Sequence, residues 1–88
     1  MTIRTIKGSV QEAKLIKDGD LRFLVRSDKE MWCAGDLFNY QPYLYGKPIE
    51  DPIARKTYKV TLAYRHNDTP VEQGWQIIGF KEVGRWVR

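Results

Sequence analysis

Three prolines, at positions 42, 48 and 52, constrain the fold of this chain more than any other feature of its sequence. Each proline lacks an N–H donor and disfavours helical geometry in the residue before it, so the segment 36–56 is predicted to hold neither a long helix nor a central strand. Four aromatic rings lie in the same segment, within residues 38–48. Rings in an irregular connection either fold back over a core as a plug or present their faces to a partner. The sequence leaves both alternatives open.

The chain before this connection alternates between apolar and polar residues, as strands do. Residues 6–15 predict a long first strand with one extra residue near Gln11-Glu12, which would form a bulge. Asp18-Gly19 is typical of a two-residue hairpin turn, because both positions tolerate positive φ. A second strand follows over 21–26 and a third over 31–34, so that a three-stranded meander is expected.

The second strand has a clean period of two, which assigns its side chains to two faces. The inward face is predicted to carry Leu21, Phe23 and Val25. The outward face then carries Arg22, Leu24 and Arg26.

After the connection, Asp51 is expected to cap a short helical turn that begins at Pro52. A fourth strand is predicted over 58–64, with Tyr58, Val60, Leu62 and Tyr64 on one face, and a fifth over 75–80. A turn cluster from His66 to Pro70 separates them. The tail from Val83 to Arg88 either continues the fifth strand or pairs as a last short one.

These elements predict an all-β fold, or a β-rich fold with one short helix, built as a small five- to six-stranded barrel in a single domain covering residues 1–88. The order of elements resembles the oligonucleotide/oligosaccharide-binding (OB) barrel, and among OB proteins the small single-stranded-DNA-binding proteins of phages and plasmids. The resemblance is carried by Gly8, the Asp18-Gly19 turn, the meander, the turn after Asp51 and the last strand pair. An SH3-like barrel would give nearly the same pattern and is the alternative.

Composition predicts an intracellular binding protein. Cys33 is the lone cysteine, as expected for a reduced protein, and its place beside Trp32 predicts a small core side chain. The N-terminal residues lack the apolar segment of a signal peptide, and no apolar run approaches the length of a membrane span, so we expect a cytoplasmic protein without membrane contact.

Catalysis and metal binding are not predicted. The lone histidine, His66, and Cys33 are too far apart in sequence to form a zinc cluster, and the serines stand in no nucleophile motif. His66 is interpreted as a solvated turn residue. We therefore expect no enzyme activity, no metal and no cofactor.

Binding is the function that the sequence favours. The net charge is +4, and the excess lies outside residues 36–57, which carry three basic and three acidic groups. Basic strand residues that neighbour exposed rings would suit a polynucleotide. The candidate binding residues are Arg22, Arg26, Trp32, Tyr40, Tyr43, Tyr45, Lys47, Lys59 and Arg65.

Two functional hypotheses follow from these residues. The first is sequence-tolerant binding of single-stranded nucleic acid through basic strand faces and exposed aromatics. The second is a protein–protein interaction module, such as a small phage or plasmid accessory or inhibitor protein, that docks through the 38–48 aromatic loop. A monomer or a homodimer is expected in either case.

Overall fold

The computed structural model describes residues 3–65 and 72–85, and the predicted turn at 66–70, with His66, and the residues Trp86 and Val87 lie outside this range. Six strands, one α-helix and one 3₁₀-helix follow one another along the chain. They are β1 (Arg4–Ser9), α1 (Val10–Lys17), β2 (Phe23–Ser27), β3 (Leu37–Leu44), β4 (Lys47–Pro48), η1 (Pro52–Arg55), β5 (Lys56–Arg65) and β6 (Trp75–Arg85).

All six strands belong to one sheet, in which the long strands lie in the order β1-β3-β5-β6-β2 and β4 pairs with β3. β1 and β3 are parallel, and the other pairs are antiparallel. The sheet curls strongly into a half-barrel, compatible with a small OB-like barrel. The predicted β-rich, barrel-like fold with a short helix is therefore confirmed.

The core lies on the inner side of the curled sheet and is rich in aromatic rings. The ring of Phe38 lies 5.5 Å from that of Tyr58 and 5.7 Å from those of Trp32 and Phe80, centroid to centroid. Ile53 from η1 and Ala13 and Ile16 from α1 complete this core. The short helices thus cover part of the inner face of the sheet.

The expected long first strand is wrong, because the chain turns into α1 after Ser9. The Ser9 Oγ accepts a hydrogen bond of 3.0 Å from the Glu12 N–H and so caps the helix. Ala13 and Ile16, three residues apart, are both buried. The shift in the apolar alternation that suggested an extra residue near Gln11-Glu12 is therefore the start of a helix, in which buried residues recur every three to four positions.

Asp18-Gly19 ends α1 and is not a hairpin turn. Asp18 is the C-cap, with its N–H directed to the Lys14 and Ile16 carbonyls, and Gly19 follows with φ of 80°. The meander is also wrong, since β1 and β2 stand at opposite ends of the sheet order. Residues 31–34 form no strand: Trp32 is buried, whereas Cys33 is exposed and is not the core residue expected.

The aromatic segment 38–48 is mostly β3, a strand between β1 and β5, which the prolines were expected to exclude. Pro42 lies within β3 and is fully buried. The hydrogen bonds at this position use the Pro42 carbonyl, which accepts from the Ile49 N–H at 3.1 Å and from Gln41 Nε2 at 3.0 Å. β3 pairs with β5 only through Leu37 and Phe38, so the missing N–H at Pro42 interrupts no ladder with β5.

The faces of β2 are the reverse of those predicted. Leu24 is buried, whereas Phe23 and Val25 are 52% and 46% exposed. In β5 the prediction holds for Tyr58 and Val60, but the register shifts between Val60 and Leu62, and Tyr64 is 46% exposed. In both strands, the outer face of the sheet therefore carries apolar side chains that were predicted to face the core.

The remaining elements follow the predictions. The Asp51 carboxylate accepts a hydrogen bond of 3.0 Å from the Ile53 N–H at the start of η1, with Pro52 at the first helical position. The fifth predicted strand is longer than expected, and β6 continues through Arg85. In the ranges 3–65 and 72–85, no helix is long and apolar enough to cross a membrane.

Candidate functional site

A cleft of about 380 Å³ opens between β1 and β2, at the place where the two ends of the curled sheet face each other. We call it the edge cleft. Three cationic side chains line it and only one carboxylate does. Its lining residues are Thr5, Ile6, Lys7, Arg26, Ser27, Lys29, Glu30 and Trp32.

Arg26 bridges the two edges that border the cleft. From β2, its Nη2 donates to the Lys7 carbonyl of β1 at 3.1 Å and to Glu12 Oε1 of α1 at 2.5 Å. Its Nη1 donates to the Val25 carbonyl at 2.9 Å and to Glu12 Oε2 at 3.3 Å. This two-point carboxylate pair fixes the guanidinium plane, because both of its ends are held. Arg26 therefore holds the two edges of the cleft together, with its charge compensated by Glu12.

A buried tyrosine completes the network on its inner side. The Tyr40 hydroxyl donates to Glu12 Oε1 at 2.5 Å and to the Ser9 carbonyl at 3.3 Å. Burial, with the hydrogen bond to Glu12 and its negative charge as further causes, raises the pKa of Tyr40 far above its usual value. Tyr40 thus remains a neutral donor that holds the carboxylate towards Arg26.

Gly8 leaves the space that this network occupies. A Cβ atom at Gly8 would overlap both the Tyr40 hydroxyl and the Glu12 carboxylate. Gly8 pairs with Pro42 in the parallel register of β1 and β3, directly beside the Tyr40 position. The absence of a side chain at Gly8 is therefore a condition for the Arg26–Glu12–Tyr40 arrangement.

The turn after β2 is held in place over the cleft by a buried side chain of β6. Gln76 Nε2 donates to the Ser27 carbonyl at 3.0 Å and to the Glu30 carbonyl at 2.6 Å. Lys29 lies between these two residues and is exposed. The backbone of the turn is thus fixed while the Lys29 ammonium reaches into solvent.

Two aromatic rings near the cleft are already in contact with cations. The Arg4 guanidinium lies 3.7 Å above the Trp32 ring and also forms an ion pair of 2.9 Å with Asp36. Lys7 Nζ lies 5.5 Å from the centroid of the Tyr43 ring. These contacts align basic groups along the cleft border and occupy the ring faces that sequence reasoning assigned to stacking.

The predicted binding residues do not form one surface. Trp32 is only 2% exposed and Tyr40 is fully buried, so neither ring is available for the stacking role of a candidate binding residue. Tyr40 belongs to the core because β3 is an internal strand. Arg65 is half-buried, and its Nη2 donates to the Trp32 carbonyl at 2.8 Å, behind the cleft.

Other predicted residues are accessible but lie apart from the cleft. Tyr45, at the β3–β4 turn, is 94% exposed, and Lys47 follows it. Arg22 borders a separate depression beside Lys81, and Lys59 pairs with Lys81 in the register of β5 and β6. Among the predicted residues, Arg26 and Trp32 line the cleft and Tyr43 contacts its border through Lys7.

Sequence reasoning missed Lys7, Lys29 and Glu12. The Ser9-to-Glu12 spacing matches a helix capping box and would have placed Glu12 in the first turn of a helix. The position of Lys7 beside Arg26 has no local signal, because it depends on the curling of the sheet, whereas Lys29 is close to Arg26 along the chain.

Metal ligation has no candidate in this region. Among the described residues, no group of three or more His, Cys, Asp or Glu side chains is placed to hold a metal ion. The arrangement is therefore one of two lysines and a paired arginine around a cleft, with the partly buried carboxylate of Glu12 behind Arg26. No protein-family model matches the chain, and a search of curated proteins found no significant match.

Proposed function

We propose that this protein is a binding module for single-stranded nucleic acid and that the edge cleft receives the strand. The observation that carries the proposal is the presence of two lysines, Lys7 and Lys29, without an ion-pair partner among the described residues, on either side of Arg26. Lysines that border a concave site and lack an acidic partner are suited to phosphate groups.

Each side chain would have a distinct part in binding. Lys7 and Lys29 would neutralise consecutive phosphates, since both are exposed and mobile at the ends of long side chains. Arg26 would keep the wall of the cleft in place, because Glu12 fixes it and compensates its charge. The curled β-sheet supports the proposal, as OB-like barrels commonly bind oligonucleotides.

The test is titration of fluorescein-labelled dT12 and U12 by fluorescence anisotropy at 20 to 200 mM NaCl. The double variant Lys7→Ala/Lys29→Ala removes both free cations of the cleft. Affinity at low salt is expected to fall at least tenfold. The slope of log K against log salt is expected to flatten by about 1.4, because each phosphate contact on a single strand contributes about 0.7.

A matched control separates the cleft from general electrostatics. Lys47→Ala/Lys59→Ala removes the same charge from exposed positions outside the cleft and is expected to change affinity by less than threefold. Equal losses for the two double variants would show that the cleft is not the site. The absence of salt-sensitive binding by the unmodified protein would contradict the proposal as a whole.

A second candidate function, protein interaction through the β3–β4 turn, has one specific observation in its favour. Tyr45 is 94% exposed and is the non-glycine residue with positive φ, 52°, in the described chain. The turn thus holds an aromatic ring outward in a backbone conformation that costs energy. Tyr45→Ser is expected to leave dT12 affinity unchanged, and this variant would lose binding to a protein partner that uses the turn.

A further inference from the structure

Six apolar side chains lie together on the outer face of β2, β5 and β6, the side of the sheet that faces away from the core. Four of them are well exposed: Phe23 at 52%, Val25 and Tyr64 at 46% and Trp75 at 45%. Leu62 and Ile77 are half-buried between them. We call this surface the outer apolar patch; its members are Phe23, Val25, Leu62, Tyr64, Trp75 and Ile77.

The strand register places these side chains in adjoining rows. Ile77 pairs with Val25 on one side and with Tyr64 on the other, which makes a row across three strands. In the next row, Gly79 pairs with Phe23 and Leu62, and the Leu62 side chain lies over Gly79, 2.8 Å from the position that a Cβ would take. The patch is therefore continuous across β2, β6 and β5.

The patch contrasts with the outer face elsewhere in the same sheet. On β1 and β3 that face carries Thr5, Lys7, Asn39 and Gln41, as expected for a surface in contact with water. β2 and β6 instead have apolar side chains on both faces, with Leu24 and Ile78 buried on the inner one. Two-sided apolar strands are typical of sheets that are covered on both faces.

The charges around the patch restrict what covers it. Among the described residues no charged side chain lies in its rows, and Lys59 and Lys81 face each other in the strand register at its border. A nucleic acid would need cations within the contact area. A strongly charged partner of either sign would meet no opposite charge within the rows of the patch. The patch therefore fits another uncharged apolar surface.

We propose that the outer apolar patch is the interface of a homodimer, in which the same patch of a second copy covers it. In a two-fold contact the same patch meets itself, so an uncharged apolar surface is self-complementary, whereas a patch with charges of one sign would repel its copy. Homodimer interfaces are also the most apolar class of protein interface.

The size of the patch determines the strength of the dimer. Its exposed apolar area is roughly 400 Å² per copy, within the range of the largest patches found on monomers. That is about half of the roughly 800 Å² that each partner contributes to a standard interface. A contact of this size belongs to the class of weak and transient interfaces, so we expect a reversible dimer.

The test is sedimentation velocity of the full chain from 5 to 500 µM. The unmodified protein is expected to pass from monomer to dimer across this range. Val25→Lys, which places an ammonium in the middle strand row of the patch on both copies, is expected to weaken association at least tenfold. Circular dichroism should show an unchanged melting temperature, since Val25 is exposed in the monomer.

A complementary pair makes the test specific. Val25→Glu alone is also expected to remain monomeric, whereas an equimolar mixture with Val25→Lys should regain a dimer. Met31→Ser, which removes an exposed apolar side chain outside the patch, is the control and should associate like the unmodified protein. A chain that stays monomeric to 500 µM, or a Val25→Lys variant that dimerises normally, would overturn the proposal.

Discussion

At the scale of single residues, Gly8 is the position on which the candidate site depends most directly. A side chain at this point would occupy the space of the Tyr40 hydroxyl and the Glu12 carboxylate. Both groups belong to the hydrogen-bond network that fixes Arg26 in the cleft wall. Adding one methyl group at Gly8 would therefore affect the side chains of Tyr40, Glu12 and Arg26, although Gly8 does not line the cleft.

Gly8→Ala is accordingly expected to lower the free energy of unfolding by about 1 to 3 kcal/mol, because Tyr40 or Glu12 must move and their hydrogen bond is lost. Urea denaturation at pH 7 measures this. Lys7→Ala changes the exposed residue just before Gly8 in β1 and should alter stability by less than about 0.5 kcal/mol. If Gly8→Ala unfolded at the same urea concentration as the unmodified protein, the packing described around Tyr40 would be wrong.

At the scale of elements, the two short helices are joined by one ion pair. Lys17, in the last turn of α1, donates from Nζ to Asp51 Oδ2 at 2.8 Å, while Asp51 Oδ1 caps η1. Burial alone would raise the pKa of Asp51, but the hydrogen bonds from Lys17 and the Ile53 N–H outweigh it and lower the pKa below 3.8. Asp51 thus stabilises the fold in its ionised form.

The lowered pKa of Asp51 determines how the stability of the protein depends on pH. A carboxyl whose pKa is lower in the folded state contributes stability above its unfolded-state value, 3.8, and loses that contribution as the pH falls below it. Asp51→Asn keeps a capping oxygen but removes the ion pair, and should cost about 1 kcal/mol at pH 7. Urea denaturation at pH 7, 5 and 3 should show the difference shrinking at pH 3.

Glu50→Gln is the matched control for Asp51→Asn, because it makes the same acid-to-amide change at the neighbouring exposed position. Its effect on stability should be small at each pH. A difference between Asp51→Asn and the unmodified protein that persisted undiminished at pH 3 would contradict the role of the ionised carboxylate.

At the scale of the whole molecule, side chains rather than a strand pair join the two ends of the curled sheet. β1 and β2 are not paired with each other, and Arg26 connects them through the Lys7 carbonyl and Glu12. The side chains of Arg26 and Glu12 are 27% and 24% exposed. Loss of one partner from such a pair leaves an uncompensated charge in a partly buried place.

Glu12→Gln is therefore expected to lower the free energy of unfolding by about 2 kcal/mol, since Arg26 loses its counter-charge and Tyr40 loses an ionised acceptor. The control, Glu82→Gln, makes the same change in the more exposed pair of Lys56 and Glu82, at 3.2 Å, and should cost less than about 0.5 kcal/mol. Chemical denaturation of both variants measures the contrast. Equal effects would mean that the Arg26–Glu12 pair does not contribute to joining the sheet edges.

The local sequence predicts several elements well and fails at identifiable places. β5, β6 and η1 were predictable because alternation and the Asp51-Pro52 cap are local signals. α1 was missed because Ala13 and Leu15 fit a strand as well as a helix, although Ser9 and Glu12 carried the capping signal. β3 was missed because Pro42 was taken as a residue that interrupts a strand. In the structure Pro42 lies within β3, and its carbonyl accepts hydrogen bonds from Gln41 Nε2 and the Ile49 N–H.

The candidate site was predictable only in part. Arg26 was identified from the alternation of β2, but on the wrong face, because Phe23 and Val25 are as apolar as a core requires and nothing local shows that Leu24 is the buried side chain. Lys7 was missed since it becomes a neighbour of Arg26 only when β1 and β2 face each other, whereas Lys29 follows Arg26 by three residues and was overlooked.

The sequence alone determined that this chain is small, basic and β-rich with a short helical turn after Asp51, because strand alternation, caps and composition act between neighbours along the chain. The tertiary structure decided which face of each strand is buried, where the aromatic segment lies and which cations meet. Those outcomes depend on strand order and on the register shift near Val60, both set by contacts between distant residues. A shift of one residue in register exchanges the two faces of a strand, so the core, the edge cleft and the outer apolar patch follow from the assembled sheet.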